Sequence, residues 1–427
     1  MFNFYELLIE HLIVFVFLLA VTIGFFYALF RKHFFSIFDP LFYYVLITEA
    51  FCFSDVVFMG LYGLIEKKYL LQYLFSEFAL FAGILLFKPE KKQVLNEKVG
   101  EQGYLFHSLF LLSLILYVSL NIFIYATEGF PIFAENRFEI FRTGGGYGLI
   151  SRSFDVLRII IIYYLLDVIQ QRSWRLSEWM TLLIVVTIQI LSGAKSAVLT
   201  IVFIVSLYIF YSGVLRRGNI RLTKLFKRLI LFSLGGFFII AQVQIAEISI
   251  SGRSLTVLDQ AGLRLVNNGD AFLYAYPNNV IERLDSSNPI GALFGEYLAF
   301  LRIASPEELP MHIGSQLSKI YNGSDATTQT NAKHNIFGYV VFGAFGGVLY
   351  SFALGLCIGL VRYKLLGRDR RTYLVGIPYI LLNLGVLSSI NDWDNSSRSV
   401  LNVIFIFFPL VLISWLWKPT LRHRSAL

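Results

Sequence analysis

The chain is predicted to be all-α and polytopic, with about eleven transmembrane helices and one large helical loop. The first observation behind this is composition: 56% of the 427 residues are hydrophobic and 15% are charged, against about 25% charged in ordinary soluble domains. The mean hydropathy is +0.66. The second is that the apolar residues come in repeated runs of roughly 18–24, long enough to cross a hydrocarbon core about 30 Å thick. The third is that the basic residues, which leave a net charge of +8, sit in short clusters between those runs. That distribution is the one positive-inside topology requires, and it argues against nucleic acid as a partner. Heavy use of Phe (42) and Tyr (24) suits lipid-facing and interfacial positions.

Setting apolar runs against their breakers places spans near 7–30, 41–64, 69–87, 104–126, 154–169, 179–193, 196–213, 229–249, 335–361, 374–390 and 400–417. The first run has Glu6 and Glu10 ahead of it, Arg31 and Lys32 behind it, and no basic leader. It therefore reads as a full span with an outside amino terminus, not as a cleaved signal. The loops then alternate. Arg216, Arg217, Arg221, Lys224, Lys227 and Arg228 crowd one linker assigned inside, and Arg362, Lys364, Arg368, Arg370 and Arg371 crowd another. Short loops on the opposite side carry only Lys67, Lys68, Lys195 and Arg398.

The chain is read as a single transmembrane domain over 1–427 with two long outer segments, 127–153 and 250–334, the latter between the eighth and ninth spans. Loops of such length usually have a function. Within the larger one, 288–304 sets Ile290, Leu293, Phe294, Tyr297 and Leu301 on one helical face, as expected of a helix lying on the outer interface and capping a cavity. Cys52 and Cys357 fall inside apolar segments and read as small buried residues, not as a disulfide pair. No Cys/His spacing suggests a metal site.

Three short motifs fall on the same predicted side. LSGAKSAVL (191–199) forms a tight turn with Lys195 at its tip; ISGRS (250–254) opens the large loop with Arg253; KHNIFGYVVFGAFGGVL (333–349) closes it, with His334 just before the ninth span. Cations at headgroup depth suit a polyprenyl pyrophosphate, whose tail stays in the bilayer. They would also stabilise charge on a departing pyrophosphate, while a neutral His takes a proton from an incoming sugar hydroxyl. Arg264, eleven residues beyond Arg253, would share its helix face if 253–266 is one helix. In the first outer loop Arg137, Arg142 and Arg152 surround Gly144, Gly145 and Gly146, either as substrate contacts or as part of a flexible turn. The plainer alternatives are a snorkelling Lys195, a headgroup contact at Arg253 and an interfacial His334. Glu49, Asp55 and Glu77 lie within early spans, and Asp155 and Arg158 are spaced to pair along one helix face. Asp259, Asp270, Glu282, Asp285 and Glu296 could supply a loop carboxylate.

On these motifs the chain resembles the bacterial O-antigen polymerase (Wzy) and O-antigen ligase (WaaL) superfamily of membrane glycosyltransferases. The corresponding pieces are Gly193-Ala194-Lys195-Ser196, Ser251-Gly252-Arg253, and His334-Asn335 followed by Gly343, Gly346 and Gly347. The likeness covers residues 185–350 and departs at Lys195, where the ligases usually carry Arg; a Lys keeps the charge but loses the bidentate fork. The resemblance implies a GT-C-like fold in a bacterial inner membrane with a periplasm-facing site. It also implies metal-independent, inverting transfer, without a cofactor, of glycan from undecaprenyl pyrophosphate. In a polymerase the acceptor is the sugar end of another lipid-linked repeat unit; in a ligase it is lipid A-core. Catalytic roles then fall to Arg253, His334 and Lys195, and substrate binding to Arg264, Arg137, Arg142, Arg152 and Asn335, with a chain-length regulator as a candidate partner. The alternative from another class is a transporter or a flippase for lipid-linked oligosaccharide, in which Glu49, Asp55 or Glu77 would be essential.

Overall fold

The computed structural model describes residues 4–88, 103–133, 147–193, 195–212, 265–285, 287–305, 307–323, 330–365 and 372–417. Their regular elements are helices, and five of these are long and apolar enough to cross a membrane: Leu12–Phe30, Pro40–Leu61, Tyr104–Thr127, His334–Lys364 and Asp394–Leu416. Leu176–Leu191, Leu199–Ser212 and Tyr373–Ser388 are apolar but shorter. The protein is an all-α, multi-pass membrane protein. The expected span at 229–249 lies outside the described residues.

In chain order the principal helices are α1 (Phe4–Glu10), α2 (Leu12–Phe30), α3 (Pro40–Leu61), α4 (Lys67–Leu85), α5 (Gly103–Thr127), α6 (Tyr147–Gln171), α7 (Leu176–Leu191) and α8 (Lys195–Ser212). They continue as α9 (Asp270–Ala275), α10 (Pro289–Phe300), α11 (Ile313–Asn322), α12 (His334–Gly359), α13 (Tyr373–Ser388) and α14 (Asp394–Leu416). The chain forms two compact units. The first holds residues 1–90, 258–365 and 383–399; the second holds 91–257, 366–382 and 400–427.

In the first unit α3 opens with Asp39, whose carboxylate accepts from the Leu41 amide at 2.9 Å, and Pro40 follows at the first helical position. Residues Tyr43–Glu49 of α3 are π-helical, an irregularity frequent at functional sites. The decisive feature is α12. The sequence predicts one continuous span there, but Gly343 has φ +72° and ψ −178°, a conformation open essentially to glycine alone. The chain turns back on itself at that point. A Cβ on Gly338 would stand 3.0 Å from the Gly347 Cα, and His334 Nδ1 is 2.9 Å from Ser351 Oγ. On a straight helix those pairs would be about 13 and 25 Å apart. Residues 334–342 and 344–359 are therefore two antiparallel arms of a helical hairpin.

α4 packs against both arms. Gly83 and Gly355 let its backbone meet the second arm closely: a Cβ on Gly83 would reach the Phe352 carbonyl oxygen at 2.5 Å, and one on Gly355 would run into the Leu80 carbonyl. Small residues at membrane helix contacts allow such approach. The first arm runs the other way, with Tyr339 beside Tyr69 (ring centroids 6.0 Å) and the Asn335 carbonyl accepting from Gln72 Nε2 at 3.3 Å. The foot of the hairpin thus lies beside the middle of α4, and its turn lies toward the Lys67 end. At the Phe87 end a buried ion pair joins Arg362 to Asp39.

In the second unit α5 and α6 are antiparallel neighbours, held by stacked rings such as Phe110 and Tyr164 (4.1 Å between centroids). The predicted Asp155–Arg158 pair forms at 2.6 Å. Arg158 also donates to Gln189, whose Nε2 donates to the Tyr117 hydroxyl at 2.6 Å. The tight turn expected near residue 193 is present: Gly193 has φ +64° between α7 and α8 and sits against Ile132. Both cysteines are free; Cys52 is buried, whereas Cys357 is exposed on α12, contrary to the expectation that both are buried.

Candidate functional site

The hairpin foot is where polar side chains converge in the first unit. Lys333, the residue before α12, has φ +56°, which is uncommon for a residue with a side chain and costs about 1–3 kcal/mol unless the surroundings impose it. Those surroundings are the 388–393 turn: the Lys333 amide donates to the Asn391 carbonyl at 2.7 Å and the His334 amide to the Ile390 carbonyl at 3.0 Å. The Lys333 ammonium donates to Asn391 Oδ1 at 2.6 Å and lies 3.7 Å from Glu49 Oε1. His334 Nε2 lies 3.3 Å from Glu77 Oε2, and Asn335 Nδ2 donates to the same oxygen at 3.4 Å. Glu49, Glu77, His334 and Asn335 have no solvent exposure, and Lys333 has 2%.

Sequence spacing shows why these groups sit at one level. Glu77 is ten residues into α4, about 15 Å along the helix axis from Lys67, and Glu49 is twelve residues from the Leu61 end of α3. His334 was expected just ahead of a span; the fold sets it beside the middle of α4. The glycine turn at 343 carries it back to mid-helix depth. Non-helical backbone at such depth is tolerated only where protein or a polar cavity surrounds it, and here the paired 333–334 and 390–391 backbones satisfy one another.

One tautomer of the imidazole matches the Ser351 back-bond. The Ser351 hydroxyl lies 3.0 Å from the Gly347 carbonyl, the back-bond common for a helical Ser. With its hydrogen placed there, Ser351 Oγ accepts from His334 Nδ1–H. Nε2 is left facing Glu77.

Asp55, two turns along α3 from Glu49, is also buried, and neither of its oxygens has a hydrogen-bond partner. Beside it the Cys52 thiol donates to the Asn268 carbonyl at 3.2 Å, and a Cβ on Gly269 would meet the Asp55 carboxylate. The chain after residue 265 thus reaches down against α3.

Of the predicted residues, His334 and Asn335 are at the centre. Lys195 is the first residue of α8 and Arg152 lies in the opening turns of α6, a helix rather than a loop; both belong to the second unit. Arg253, Arg264, Arg137 and Arg142 lie outside the described residues. Among the loop carboxylates, Glu282 accepts from the Tyr339 hydroxyl at 2.7 Å and the Tyr69 hydroxyl at 3.0 Å. Those bonds, the Tyr339 one foremost, with Lys68 beside it, hold its pKa below the usual carboxylate range. Asp285 accepts from the Ser287 amide at 2.8 Å and shapes a turn. Glu296 accepts from Arg398 at 2.8 Å.

Sequence reasoning missed Lys333, Ser351 and Asn391, and set Glu49 and Glu77 apart from His334. A signal for Lys333 was present, since buried carboxylates within spans require a cation nearby. The expectation of metal-independent chemistry is also overturned. Among the described residues, two groups have ligand-type atoms all within 4.8 Å of one another and could hold a metal ion: Glu49, Glu77 and His334, and Glu296, His312 and Asp394.

The chain matches no protein-family model, no curated protein and no solved structure.

Proposed function

We propose that the protein is a repeat-unit polymerase for O-antigen or capsule. It would transfer glycan from undecaprenyl pyrophosphate to the sugar end of another lipid-linked repeat unit. The reading includes about eleven spans in a GT-C-like arrangement and a site facing the periplasm of a bacterial inner membrane. One observation carries it: the motif by which the chain resembles the superfamily is a physical unit. Gly343 makes the hairpin turn, Gly347 admits the opposing arm at Gly338, and the result seats His334 and Asn335 among Glu49, Glu77 and Lys333. A motif of scattered interfacial residues would have no reason to do this.

In the reaction the acceptor hydroxyl oxygen bonds to the anomeric carbon of the donor. The bond from that carbon to the diphosphate breaks, the diphosphate leaves on its lipid, and the hydroxyl proton passes to the His334 centre. Lys195, Arg253 and Arg264 are the proposed cations for the diphosphate. The reading makes no claim of metal independence. The test is His334→Ala and Arg253→Ala in the native strain, with membrane levels checked by immunoblot. Loss of long glycan ladders with single repeat units retained is expected; ladders persisting in both variants would sink the reading. Complete loss of attached glycan would point to the ligase instead.

A second reading has its own observation. Glu49, Asp55 and Glu77 are all buried on α3 and α4 beside a broken helix, an arrangement that secondary transporters use for coupling ions. A flippase or transporter would lose transport of lipid-linked oligosaccharide in Asp55→Asn while tolerating Arg253→Ala.

A further inference from the structure

We propose that Glu49, Glu77 and His334 form a binding site for a divalent transition-metal ion of the Mn2+ or Zn2+ kind. Their ligand atoms lie within 4.8 Å of one another. They come from three separate elements, the π-helical turn of α3, the middle of α4 and the foot of the α12 hairpin, so the fold has to assemble them.

The independent observation is what these atoms lack. Both Glu49 oxygens, Glu77 Oε1 and His334 Nε2 are fully buried and make no hydrogen bond. A buried polar atom left so destabilises the fold, and a charged one does so more strongly. The Lys333 ammonium does not discharge the debt: its short contact is with Asn391, and it stands 3.7 Å from Glu49. Two buried carboxyl groups face one ammonium, and a bound cation would give their unpartnered oxygens a ligand.

The imidazole is already set for this role. In the tautomer that donates Nδ1–H to Ser351, the neutral ring presents its Nε2 lone pair toward the two carboxyl groups. Metal-binding histidines characteristically donate the other ring N–H to an oxygen in this way. Two carboxylates and one imidazole form a mixed oxygen and nitrogen set. Mg2+ and Ca2+ favour oxygen alone, whereas Mn2+ and Zn2+ accept such a mixture. Three protein ligands leave coordination positions open, as in catalytic metal sites. On the polymerase reading, such an ion would polarise an acceptor hydroxyl; the binding claim itself does not depend on that reading.

The Glu296, His312 and Asp394 group carries no such proposal. His312 Nδ1 lies 2.5 Å from Asp394 Oδ2, and Glu296 is taken by Arg398.

The test uses the full chain in lipid nanodiscs, stripped with chelator and titrated with Mn2+ alone, without glycan. Free Mn2+ is followed by its paramagnetic resonance signal. The wild type is expected to bind one ion per chain, displaceable by Zn2+, with affinity at least ~10-fold weaker in Glu49→Gln and in Glu77→Gln. Ser351→Ala should weaken it roughly 10-fold through the imidazole, the usual range for a partner of a metal ligand. His312→Ala and Glu296→Gln should leave it unchanged. Because a variant can fail to fold, pulsed resonance on the wild type supplies a second readout, in which bound Mn2+ should show coupling to one imidazole nitrogen. No binding by the wild type, binding that persists in both Glu variants, or bound Mn2+ without nitrogen coupling would each overturn the proposal. Ladder loss in His334→Ala together with no ion bound by the wild type would sink this site and leave the polymerase reading standing; an ion bound by the wild type with normal ladders in His334→Ala would do the reverse.

Discussion

Two groups in the first unit are built from the same three side chains, two carboxylates and a histidine, and differ in nearly everything else. The Glu296, His312 and Asp394 group is partly open: the His312 side chain is 53% exposed, and each acid has its own base, Asp394 with His312 and Glu296 with Arg398. The Glu49, Glu77 and His334 group has no exposure and leaves four of its oxygen and nitrogen atoms without hydrogen bonds. Composition therefore does not separate a structural clamp from a functional centre; the accounting of partners does. In the open group every charge finds an opposite neighbour and water screens the remainder. In the closed group the helix contacts hold together buried polar atoms that the described side chains do not all satisfy, which is the opening the proposed ion would fill.

The sharpest way to break that contrast is at the helix contact. Gly355→Leu puts a side chain where the Leu80 carbonyl already stands, forcing α4 from the second hairpin arm. The expected cost is more than about 3 kcal/mol, read as lost folded protein after detergent extraction. Bound Mn2+ should vanish with it. A variant that remains folded with the closed group intact would show that this approach does not set the site.

A second effect separates the two cations. Removing one partner of a buried ion pair costs about 3–5 kcal/mol, whereas a half-exposed pair is worth about 0–1 kcal/mol. Lys333→Met should therefore lower the thermal midpoint clearly, and Arg398→Met, whose side chain is 48% exposed, should hardly move it. Equal shifts would erase the distinction drawn between the two groups.

The contrast also explains what the sequence could yield. The apolar runs named most of the described helices because their period and length are set by the bilayer, and Asp155 with Arg158 was legible because a three-residue separation is local. The hairpin was not, since the residues on both sides of Gly343 are equally apolar, and hydropathy cannot distinguish one long crossing from two arms. Only the left-handed glycine and the small residues at 338 and 347 encode the fold-back. Once the hairpin was missed, His334 stayed at the surface and Glu49 and Glu77 belonged to a rival hypothesis. Non-local docking joined them, through the 390–391 backbone that no spacing rule connects to residue 333.

The smallest effect is a pH dependence confined to the open group. The Asp394 carboxylate, hydrogen-bonded to His312, raises the imidazole pKa above its ordinary value near 6.5. A group whose folded pKa is raised adds stability that is fully present below the unfolded value and is lost as pH rises through the folded one. Scanning from about pH 6 to about pH 8.5 should therefore lower the thermal midpoint by about a degree or two, with hydrogen exchange rising in α11, whose first residue follows His312. Because the pair is half-exposed, added salt should shrink the effect, and His312→Ala should flatten it while leaving Mn2+ binding at the closed group untouched. A pH dependence that survives His312→Ala would have to originate elsewhere, and the open group would then be a bystander and not a clamp.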